Sequence, residues 1–436
     1  MDSKNGKAVY IIDGARTPFL KAKGRPGPFH AVDLAFHSGR ALLSRQPFLP
    51  SDLDEVIVGC VIPGANEANI ARVLALRLGC GKLVPAWTVQ RNCASGLQAL
   101  DSAFKDIETG RANLVLAGGT EAMSRAPLQL NDKMVSWLAD WQRAKGFPAK
   151  LRQLSLLRPR HFSPVITLIC GLTDPNVGLS MGETAEILAE RFSISREEMD
   201  EYSMESHKRL AGAQDDGSLS EIVGIFDTSG KYFDKDEGLR RETDMTSLGK
   251  LKPVFDRKVG TVTAGNSSQV TDGAAMILLA GAEAVKKHNL KVLAKIIDVQ
   301  WSGLDPAQMG LGPAHSVAAL LKKNGLAIQE IDYWEINEAF SAQVLACLRA
   351  LNSDDYCKNE LGLGEALGKI ESSTLNLHGG GISLGHPIGA SGARIVLHLA
   401  NVLSKRGGKR GVASLCIGGG QGGAMLIERE DDYGRV

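Results

Sequence analysis

Residues 92–123, NCASGLQALDSAFKDIETGRANLVLAGGTEAM, contain the pattern that decides the fold. An Ala-Ser-Gly triplet opens a segment with helical periodicity, and a short apolar run then leads into a strand that ends in glycines. Residues 388–425, IGASGARIVLHLANVLSKRGGKRGVASLCIGGGQGGAM, have the same order. The same unit, a helix that opens with Ala-Ser-Gly and a strand that ends in glycines, therefore occurs twice in the chain.

A second pair of segments strengthens the case for a duplication. Residues 33–60 and residues 313–339 both show a helix, a short loop and a strand in that order. Because two pairs recur in the same sequence order, chance resemblance is a poorer explanation than two duplicated halves. The alternation of short strands with helices predicts βαβ units and an α/β fold. Residues 124–255 do not look like a third copy of the repeated segments and are predicted to be an insertion.

Composition is typical of a soluble globular enzyme. The 436 residues are 44% hydrophobic and 23% charged, with a formal net charge of +1. This balance excludes disordered and coiled-coil classes and gives no overall attraction to nucleic acid. The chain is too long for one ordinary core, so two large domains or one duplicated body are expected. No apolar run approaches the ~18 residues of a membrane helix.

The seven cysteines predict a reducing compartment. They are odd in number and form no CxxC pair, which argues against a disulfide framework and against a metal site. The first apolar run has only five residues, so no signal or transit peptide is visible. We therefore expect a cytoplasmic location.

Cys93 is the first candidate for chemistry. It follows a strand-like segment and stands just before the helix that the first Ala-Ser-Gly triplet opens. The positive end of a helix dipole favours a thiolate, which makes a cysteine nucleophilic. A cysteine among small residues is, however, most often a buried filler, so Cys93 alone does not decide the function.

Three further residues lie at positions that suit chemistry. His386 stands in a glycine-rich loop before the second triplet, where it can act as a base or as a donor to an oxyanion. Cys416 follows an apolar strand, and ligands bind at the carboxyl ends of strands in open α/β sheets. Asn337 also follows a strand, and an equally good interpretation is that it caps the next helix.

Four motifs in this order resemble the active-site motifs of the thiolases: RNCASG (91–96), NEAF (337–340), GHPIGASG (385–392) and CIGGGQG (416–422). Two further segments are similar to the same family, GARTPF (14–19) and GTVTAGNSSQVTDGAA (260–275). The resemblance covers nearly the whole chain. Four separate motifs make it highly specific, and they outweigh the interpretation of Cys93 as a filler.

The resemblance implies a role for each candidate. Cys93 would take the acyl group as a thioester, and Cys416 would be the acid or base at the α-carbon. His386 would activate Cys93 and point to a substrate thioester oxygen, and Asn337 would hold a water that completes this oxyanion hole. The amides of Cys93 and Gly418 would form a second hole. Thioester exchange needs a soft nucleophile, and an enolate needs preorganised donors.

The resemblance also implies coenzyme A (CoA) or acyl-CoA as substrate, with no permanently bound cofactor. Ser268, Arg240 and Ser247 match CoA-binding positions, and an arginine fork suits phosphates. The alternative for Arg240 is a solvated surface charge. Met181 and Met309 match positions of the acyl pocket, although buried methionines are usually plain core.

For the fold, the resemblance implies a layered αβαβα body of two βαβ halves related by a pseudo-twofold. The expected divisions are residues 1–123 with 256–290, the inserted loop domain 124–255 on the CoA side, and residues 291–436. A homodimer or dimer of dimers is expected. Two alternative functions are a ketoacyl synthase-like condensing enzyme, which lacks the second cysteine, and a lipid carrier, in which a catalytic residue would be lost.

Substrate length is left open by two conflicting features. Ser180 stands where short-chain biosynthetic thiolases usually have His, and the long insertion resembles the thiolase subunit of β-oxidation complexes. That resemblance implies a hydratase/dehydrogenase partner subunit. The same subunit typically has His in place of Asn337, however. His378 also stands where Asn or a small apolar residue is expected.

The insertion carries a predicted amphipathic helix. Met134, Trp137, Leu138 and Trp141 fall on one helical stripe. Basic residues surround and follow it, namely Lys133, Arg143, Lys145, Lys150, Arg152, Arg158 and Arg160, against Asp132 and Asp140. Such a segment suits an anionic membrane surface or an acidic partner. The alternative is that the stripe packs on the protein's own body or its dimer mate.

Overall fold

The computed structural model describes residues 6–430. The strands are β1 Val9–Arg16, β2 Leu20–Lys21, β3 Glu55–Gly59, β4 Ala86–Val89, β5 Leu114–Ala122, β6 Leu128–Leu130, β7 Pro164–Ile166, β8 Ile225–Phe226, β9 Tyr232–Phe233, β10 Thr271–Gly281, β11 Ala294–Gly303, β12 Tyr333–Ile336, β13 Arg410–Ile417 and β14 Gln421–Glu428.

The helices are α1 Ala31–Leu43, α2 Ile70–Arg77, α3 Ser95–Glu108, α4 Asp132–Arg143, α5 Phe147–Ser155, α6 Thr167–Gly171, α7 Met181–Arg191, α8 Arg196–Asp215, α9 Met245–Gly249, α10 Ala282–His288, α11 Gly312–Asn324, α12 Ser341–Leu351, α13 Asp354–Asn359, α14 Gly381–Leu384 and α15 Ser391–Arg406. Among residues 6–430, no helix is long and apolar enough to cross a membrane.

One mixed sheet contains two copies of the same strand arrangement. At its centre, β1 and β11 pair antiparallel through Val9–Ile11 and Ala294–Ile296. Outward from this centre, one half runs β10, β5, β3, β4 and the other runs β14, β13, β12. Both halves begin with two antiparallel pairings and continue with a parallel one. The predicted duplication is therefore present, with the pseudo-twofold between β1 and β11.

Helices cover both faces of each half-sheet. In β10, Met276 and Leu278 pack in one cluster with α1 and α2, whereas Ile277 packs in another with α3 and α15. In β14, Leu426 packs with α11 and α12, whereas Ile427 packs with α3 and α15. Because alternate residues of a strand face opposite sides, α3 and α15 form a layer between the half-sheets. The predicted αβαβα body is confirmed.

Backbone touches backbone where α3 and α15 begin. A Cβ on Gly96 would lie 2.8 Å from the carbonyl oxygen of Gly389, and one on Gly392 would lie 2.5 Å from the amide nitrogen of Leu97. Only a residue without a side chain allows this approach. The two Ala-Ser-Gly triplets therefore belong to one contact, which brings the motifs at 91–96 and 385–392 together.

A series of buried hydrogen bonds links the insertion to the body, and His378 is its last member. Asp236 of the insertion accepts two hydrogen bonds from Arg16, at 2.7 and 2.8 Å. Glu221 accepts from Arg16 Nε at 3.4 Å and lies 2.8 Å from Nδ1 of His398, whose Nε2 lies 2.9 Å from Nδ1 of His378. Burial lowers the pKa of His378 to about 4, so this imidazole is neutral near pH 7.

The tryptophan stripe of the insertion is partly covered by a neighbouring helix of the insertion. The predicted helix is α4, and the rings of Trp137 and Trp141 stack with centroids 5.4 Å apart. Trp137 Nε1 donates a hydrogen bond to the carbonyl oxygen of Gln153 on α5 at 2.9 Å. The two tryptophans therefore pack on each other and on α5 within the insertion, while Leu138 of the same stripe remains exposed.

The boundaries of the predicted divisions stay a prediction. The pairing of β10, which lies within 256–290, with β1 and β5 supports its assignment to the first half. Residues 124–255 contain the small sheets β6–β7 and β8–β9 and helices α4 to α9.

We predict that Gly119→Ala destabilises the fold severely. The added carbon would lie 1.9 Å from the carbonyl oxygen of Gly389, so the loop before α15 would have to move. The free energy of unfolding should fall by about 3 kcal/mol in urea titrations. In Gly212→Ala, on α8, the new carbon meets nothing within 4 Å, and a rise of about 0.5–1 kcal/mol is expected. Equal stability of Gly119→Ala and the wild type would contradict the contact.

Candidate active site

Cys93 lies in a tight turn between β4 and α3. Asn92 has a positive φ of 43°, a left-handed conformation that asparagine adopts more readily than most residues. The amide of Arg91 donates to Ser95 Oγ at 2.9 Å, and the amide of Ala94 donates to the carbonyl oxygen of Arg91 at 2.9 Å. These bonds hold the thiol, which is half-buried, at the start of the helix.

The peptide of Gly418 faces the Cys93 turn from the other half of the body. Its carbonyl oxygen accepts a hydrogen bond from Asn92 Nδ2 at 2.8 Å, which holds this peptide beside the turn of Cys93. Burial raises the pKa of Cys93, and the charge of Glu121 adds to this, whereas the amides of Gly418 and Cys93 lower it. The two amides are thus placed to stabilise negative charge on this sulfur.

Cys416 stands near the end of β13, fully buried and close to Cys93. Burial raises the pKa of Cys416 well above its ordinary value, and the charges of Cys93 and Cys347 raise it further. This thiol therefore holds its proton at neutral pH, as a general acid requires. The structure brings together two sulfurs that are far apart in sequence.

His386 is buried, and one of its ring nitrogens has no partner. Nδ1 lies 2.6 Å from Ser391 Oγ, and the Ser391 hydroxyl donates to the carbonyl oxygen of Pro387 at 3.1 Å. Nδ1–H must therefore be the donor to Ser391, which leaves Nε2 as an acceptor. Nε2 is buried without a hydrogen bond. Burial, with a smaller effect from Arg394, lowers the pKa of His386 to about 4, so the ring is a neutral base.

Asn337 lies beside His386 and is not a helix cap. Its Nδ2 is 3.5 Å from His386 Nδ1, and its Oδ1 is buried without a partner. The helix that follows, α12, begins at Ser341 and has Phe340 as its N-cap residue, so the capping interpretation is wrong. A buried, unpartnered amide oxygen next to an unpartnered imidazole nitrogen is a place for a water or a substrate group.

The neighbour of Asn337 anchors this corner of the site. The Glu338 carboxylate accepts hydrogen bonds from Tyr202 Oη at 3.0 Å, Ser206 Oγ at 2.7 Å and Asn376 Nδ2 at 2.9 Å. Asn376 in turn accepts from the amide of Ile336 at 2.9 Å. These bonds fix the end of β12 and therefore the direction of the Asn337 side chain.

The two methionines lie on the same side as Cys416. A Cβ on Gly418 would be 3.2 Å from Met181 Sδ, so this side chain packs against the Gly418 peptide. Met309 is buried in the cluster that also contains Cys416. Ser180, before Met181, caps α7 by accepting a hydrogen bond from the amide of Glu183 at 3.3 Å.

The predicted CoA residues line two neighbouring cavities that share Arg240. A cavity of about 330 Å³ contains Arg240 and Ser247, and one of about 300 Å³ contains Arg240 and Ser268. Lys21 also lines the second cavity, and burial lowers its pKa, with smaller effects from Arg240 and Lys23. A larger cavity of about 970 Å³ lies elsewhere, between α7 and residues 255–261, and is lined by acidic side chains.

Sequence reasoning missed the residues that support the site. Ser391 and Asn92 were both visible in the quoted motifs, where each stands within a few residues of a predicted catalytic side chain. Lys21 could have been suspected only because it lies two residues after GARTPF. Glu338 could have been suspected only because it is part of NEAF. In the part of the chain that the structure describes, no group of three or more His, Cys, Asp or Glu side chains is arranged to hold a metal ion.

Comparisons with known proteins match the whole length of the fold. The family model described as "Thiolase, N-terminal domain" matches residues 9–283, and "Thiolase, C-terminal domain" matches residues 290–429. The chain is 39% identical over 427 residues to 3-ketoacyl-CoA thiolase, mitochondrial, of Homo sapiens, which covers 97% of this chain and 98% of that protein. It is 37% identical over 425 residues to trifunctional enzyme subunit beta, mitochondrial, of Bos taurus, with 97% and 89% covered.

A solved structure agrees with these relatives. The crystal structure of human mitochondrial 3-ketoacyl-CoA thiolase in complex with CoA superposes with a TM-score of 0.84 at 37% identity, and the match covers 97% of this chain and 98% of that one.

We predict that iodoacetamide modifies Cys93 of the native protein with a midpoint above pH ~8.5, the value of an unperturbed thiol. A raised pKa means that the sulfur is protonated at neutral pH and becomes reactive only as the pH rises. Cys416, buried and with a higher pKa, should stay unmodified over the same range. Peptide mass spectrometry measures both, with the exposed Cys170 as a control for the reagent. A Cys93 midpoint near pH 6 would contradict this electrostatic account.

Proposed function

The chain belongs to the thiolase family and is an acyltransferase, and we propose that it cleaves 3-ketoacyl-CoA with a second CoA through a thioester on Cys93. One observation supports the assignment of the site: His386 Nε2 and Asn337 Oδ1 are buried without partners, and the loop of His386 meets the start of the Cys93 helix at Gly389 and Gly96. Both alternative functions are disfavoured, because Cys416 is present and no catalytic position of the motifs is lost.

The first half-reaction breaks a carbon–carbon bond. His386 Nε2 accepts the proton of the Cys93 thiol, and the sulfur attacks the 3-keto carbon of the substrate. The bond between carbons 2 and 3 then breaks, which leaves the shortened acyl group on Cys93 as a thioester and the electron pair on acetyl-CoA as an enolate. The Cys416 thiol protonates carbon 2, and acetyl-CoA leaves.

The second half-reaction regenerates the enzyme. The Cys416 thiolate takes the proton from the thiol of incoming CoA, whose sulfur attacks the thioester on Cys93. The amides of Gly418 and Cys93 would face the oxygen of this tetrahedral intermediate. In the first half-reaction, protonated His386 and a water held by Asn337 would face the thioester oxygen of the enolate. Collapse gives acyl-CoA and the Cys93 thiolate, which recovers the proton held by His386.

The CoA and acyl positions remain proposals. The cationic cavities around Arg240 support binding of CoA phosphates. Ser268 lines the second cavity, and its amide donates to the carbonyl oxygen of Ala339 in the NEAF segment at 2.9 Å. Met181 and Met309 would line the acyl group. The names of the relatives support a 3-ketoacyl-CoA substrate of β-oxidation, and chain length stays open.

The names of the relatives support a partner subunit, and an edge strand of the sheet could pair with a second copy of the chain. One relative is named as a subunit of a trifunctional enzyme, which supports a hydratase/dehydrogenase partner. The expected homodimer, or dimer of dimers, stays a prediction; β4 at the end of the sheet offers a free edge for it. The expected cytoplasmic location also stays a prediction, because the relatives are named mitochondrial.

The insertion supports a further association, for which we propose an anionic membrane surface. Apart from the covered tryptophans, α4, α5 and the segments beside them expose large apolar side chains, among them Leu128, Val135, Phe147, Leu151, Leu154, Phe162 and Ile169. Exposed apolar area on this scale marks an association site. The seven basic residues among only two acidic ones make the same surface complementary to anionic lipid.

We predict that Cys93→Ser abolishes thiolysis of a 3-ketoacyl-CoA while the fold is retained, because a serine hydroxyl is a far weaker nucleophile toward this carbonyl. After incubation of the wild type with acetyl-CoA, mass spectrometry should find the acetyl group on the peptide of Cys93. Cys170→Ser, an exposed cysteine outside the site, should behave as the wild type. Acetyl found on another cysteine would refute the assignment of the nucleophile.

We also predict that the protein floats with anionic liposomes and that Phe147→Ser/Leu151→Ser reduces the bound fraction several-fold. Both side chains are on the exposed face of α5, whereas the stacked tryptophans are unsuitable targets because they hold the hairpin together. Leu83→Ser/Val259→Ser removes equally exposed apolar groups outside the insertion and should leave binding unchanged. Absence of flotation for the wild type would remove the membrane proposal in favour of a protein partner.

A further inference from the structure

Glu121 is a fully buried carboxylate that joins two segments of the site. It is the penultimate residue of β5. Its Oε2 accepts hydrogen bonds from the amides of Val61 at 3.0 Å and Gly389 at 3.1 Å. Its Oε1 accepts from the amide of Ile62 at 3.0 Å and lies 3.7 Å from Cys60 Sγ. The carboxylate therefore connects the segment after β3 with the loop that carries His386.

No cation compensates this carboxylate. Its hydrogen-bond partners among residues 6–430 are three backbone amides and one thiol, and no lysine, arginine or histidine forms an ion pair with it. Burial raises the pKa of Glu121 to about 7, although the three amides lower it. A buried charge without a counter-ion is costly, and such groups concentrate at functional sites.

The contact with Gly389 fixes the loop of His386 against the Cys93 helix. A Cβ on Gly389 would lie 2.3 Å from the carbonyl oxygen of Thr120 and 2.8 Å from Glu121 Oε2. The same peptide touches Gly96, one residue into α3. Because Gly389 has so little room, the hydrogen bond to Glu121 determines where its amide points. The same bond restrains the loop of His386, three residues earlier, together with the bond from the His386 amide to the carbonyl oxygen of Gln269 at 3.2 Å.

The charge of Glu121 also reaches the nucleophile. The titratable groups that face it are Cys60 on the segment after β3 and Cys93 before α3, with Glu67 acting on Cys60 from farther along that segment. Burial, Glu121 and Glu67 raise the pKa of Cys60 well above its ordinary value, so this thiol stays neutral. Cys93 is thus the candidate reactive group whose pKa the charge of Glu121 raises.

We propose that Glu121 is a positioning residue of the thiolase reaction: through Gly389 it holds the His386 loop against the Cys93 turn, and its negative charge acts on the Cys93 sulfur. The proposal rests on the roles proposed above for Cys93 and His386.

The test is Glu121→Gln, which keeps the size of the side chain but removes its charge. The side-chain amide NH2 would then face backbone amides that need an acceptor. We expect kcat to fall about 10-fold or more with KM changed less than about 3-fold, because substrate contacts are intact while the catalytic groups are misplaced. In the same variant the alkylation midpoint of Cys93 should move about 0.5–1 pH unit lower, because a negative neighbour has gone. A merely structural role would not move this midpoint.

Glu67→Gln is the matched control. Glu67 is also a buried carboxylate bound to backbone amides, at 2.8 Å to Val32 and 2.7 Å to Gly64, but it does not touch the His386 loop. Its kcat and Cys93 midpoint should equal those of the wild type even if its stability falls. A Glu121→Gln variant with the wild-type midpoint and kcat, or an equal kcat loss in Glu67→Gln, would overturn the proposal.

If Glu121→Gln does not fold, Glu121→Asp tests the positioning role instead. The shorter side chain keeps the charge but cannot reach all three amides, so a reduced kcat with an unchanged Cys93 midpoint supports the proposal and a wild-type kcat overturns it. Acetylation of Cys93 in the wild type is measured separately. A failure of the thioester assignment is therefore distinguishable from a failure of the role of Glu121.

Discussion

The contact between the first turns of α3 and α15 is the constraint on which the rest of the site depends. Glycine at positions 96, 119 and 389 lets peptide groups meet at distances that a single methyl group would prevent. Because both helices begin at this point, the Cys93 turn of one half and the His386 loop of the other lie side by side. The pseudo-twofold places two helix starts together, and the proposed nucleophile stands before one and the proposed base before the other.

Burial tunes the three reactive groups in different directions from one common cause. Removing water disfavours charge, so it lowers the pKa of His386 and raises that of both thiols. The imidazole is then a neutral acceptor and Cys416 a protonated donor. Cys93 differs from Cys416 because the amide of Gly418 also points at its sulfur. The amides of Gly418 and Cys93 together lower the pKa of Cys93, which suits its proposed role as nucleophile beside the proposed acid Cys416.

The insertion is attached to this body by buried charge as well as by apolar contacts, such as those of Leu188 and Met199 in the cluster that contains α11 and α12. Arg16 at the end of β1 binds Asp236 and Glu221, and the chain continues through His398 of α15. A buried ion pair demands close geometry, because losing one partner leaves an uncompensated charge. The segment that carries Arg240 and Ser247 therefore has a defined position relative to the thiols, while the α4–α5 hairpin faces outward.

The sequence alone determined the duplicated α/β body and the thiolase family, and it predicted Cys93, His386 and Cys416 as site residues, because periodicity, glycine-rich turns and short motifs are local properties of the chain. It could not decide whether Asn337 capped a helix or faced the site, since that depends on α12 starting at Ser341. It could not show that α5 covers Trp137, or that Glu121 binds the amide of Gly389 across 268 positions of sequence. Hydrogen bonds between distant segments leave no periodic pattern, so only the packed tertiary structure, which brings β5 under the start of α15, decided them.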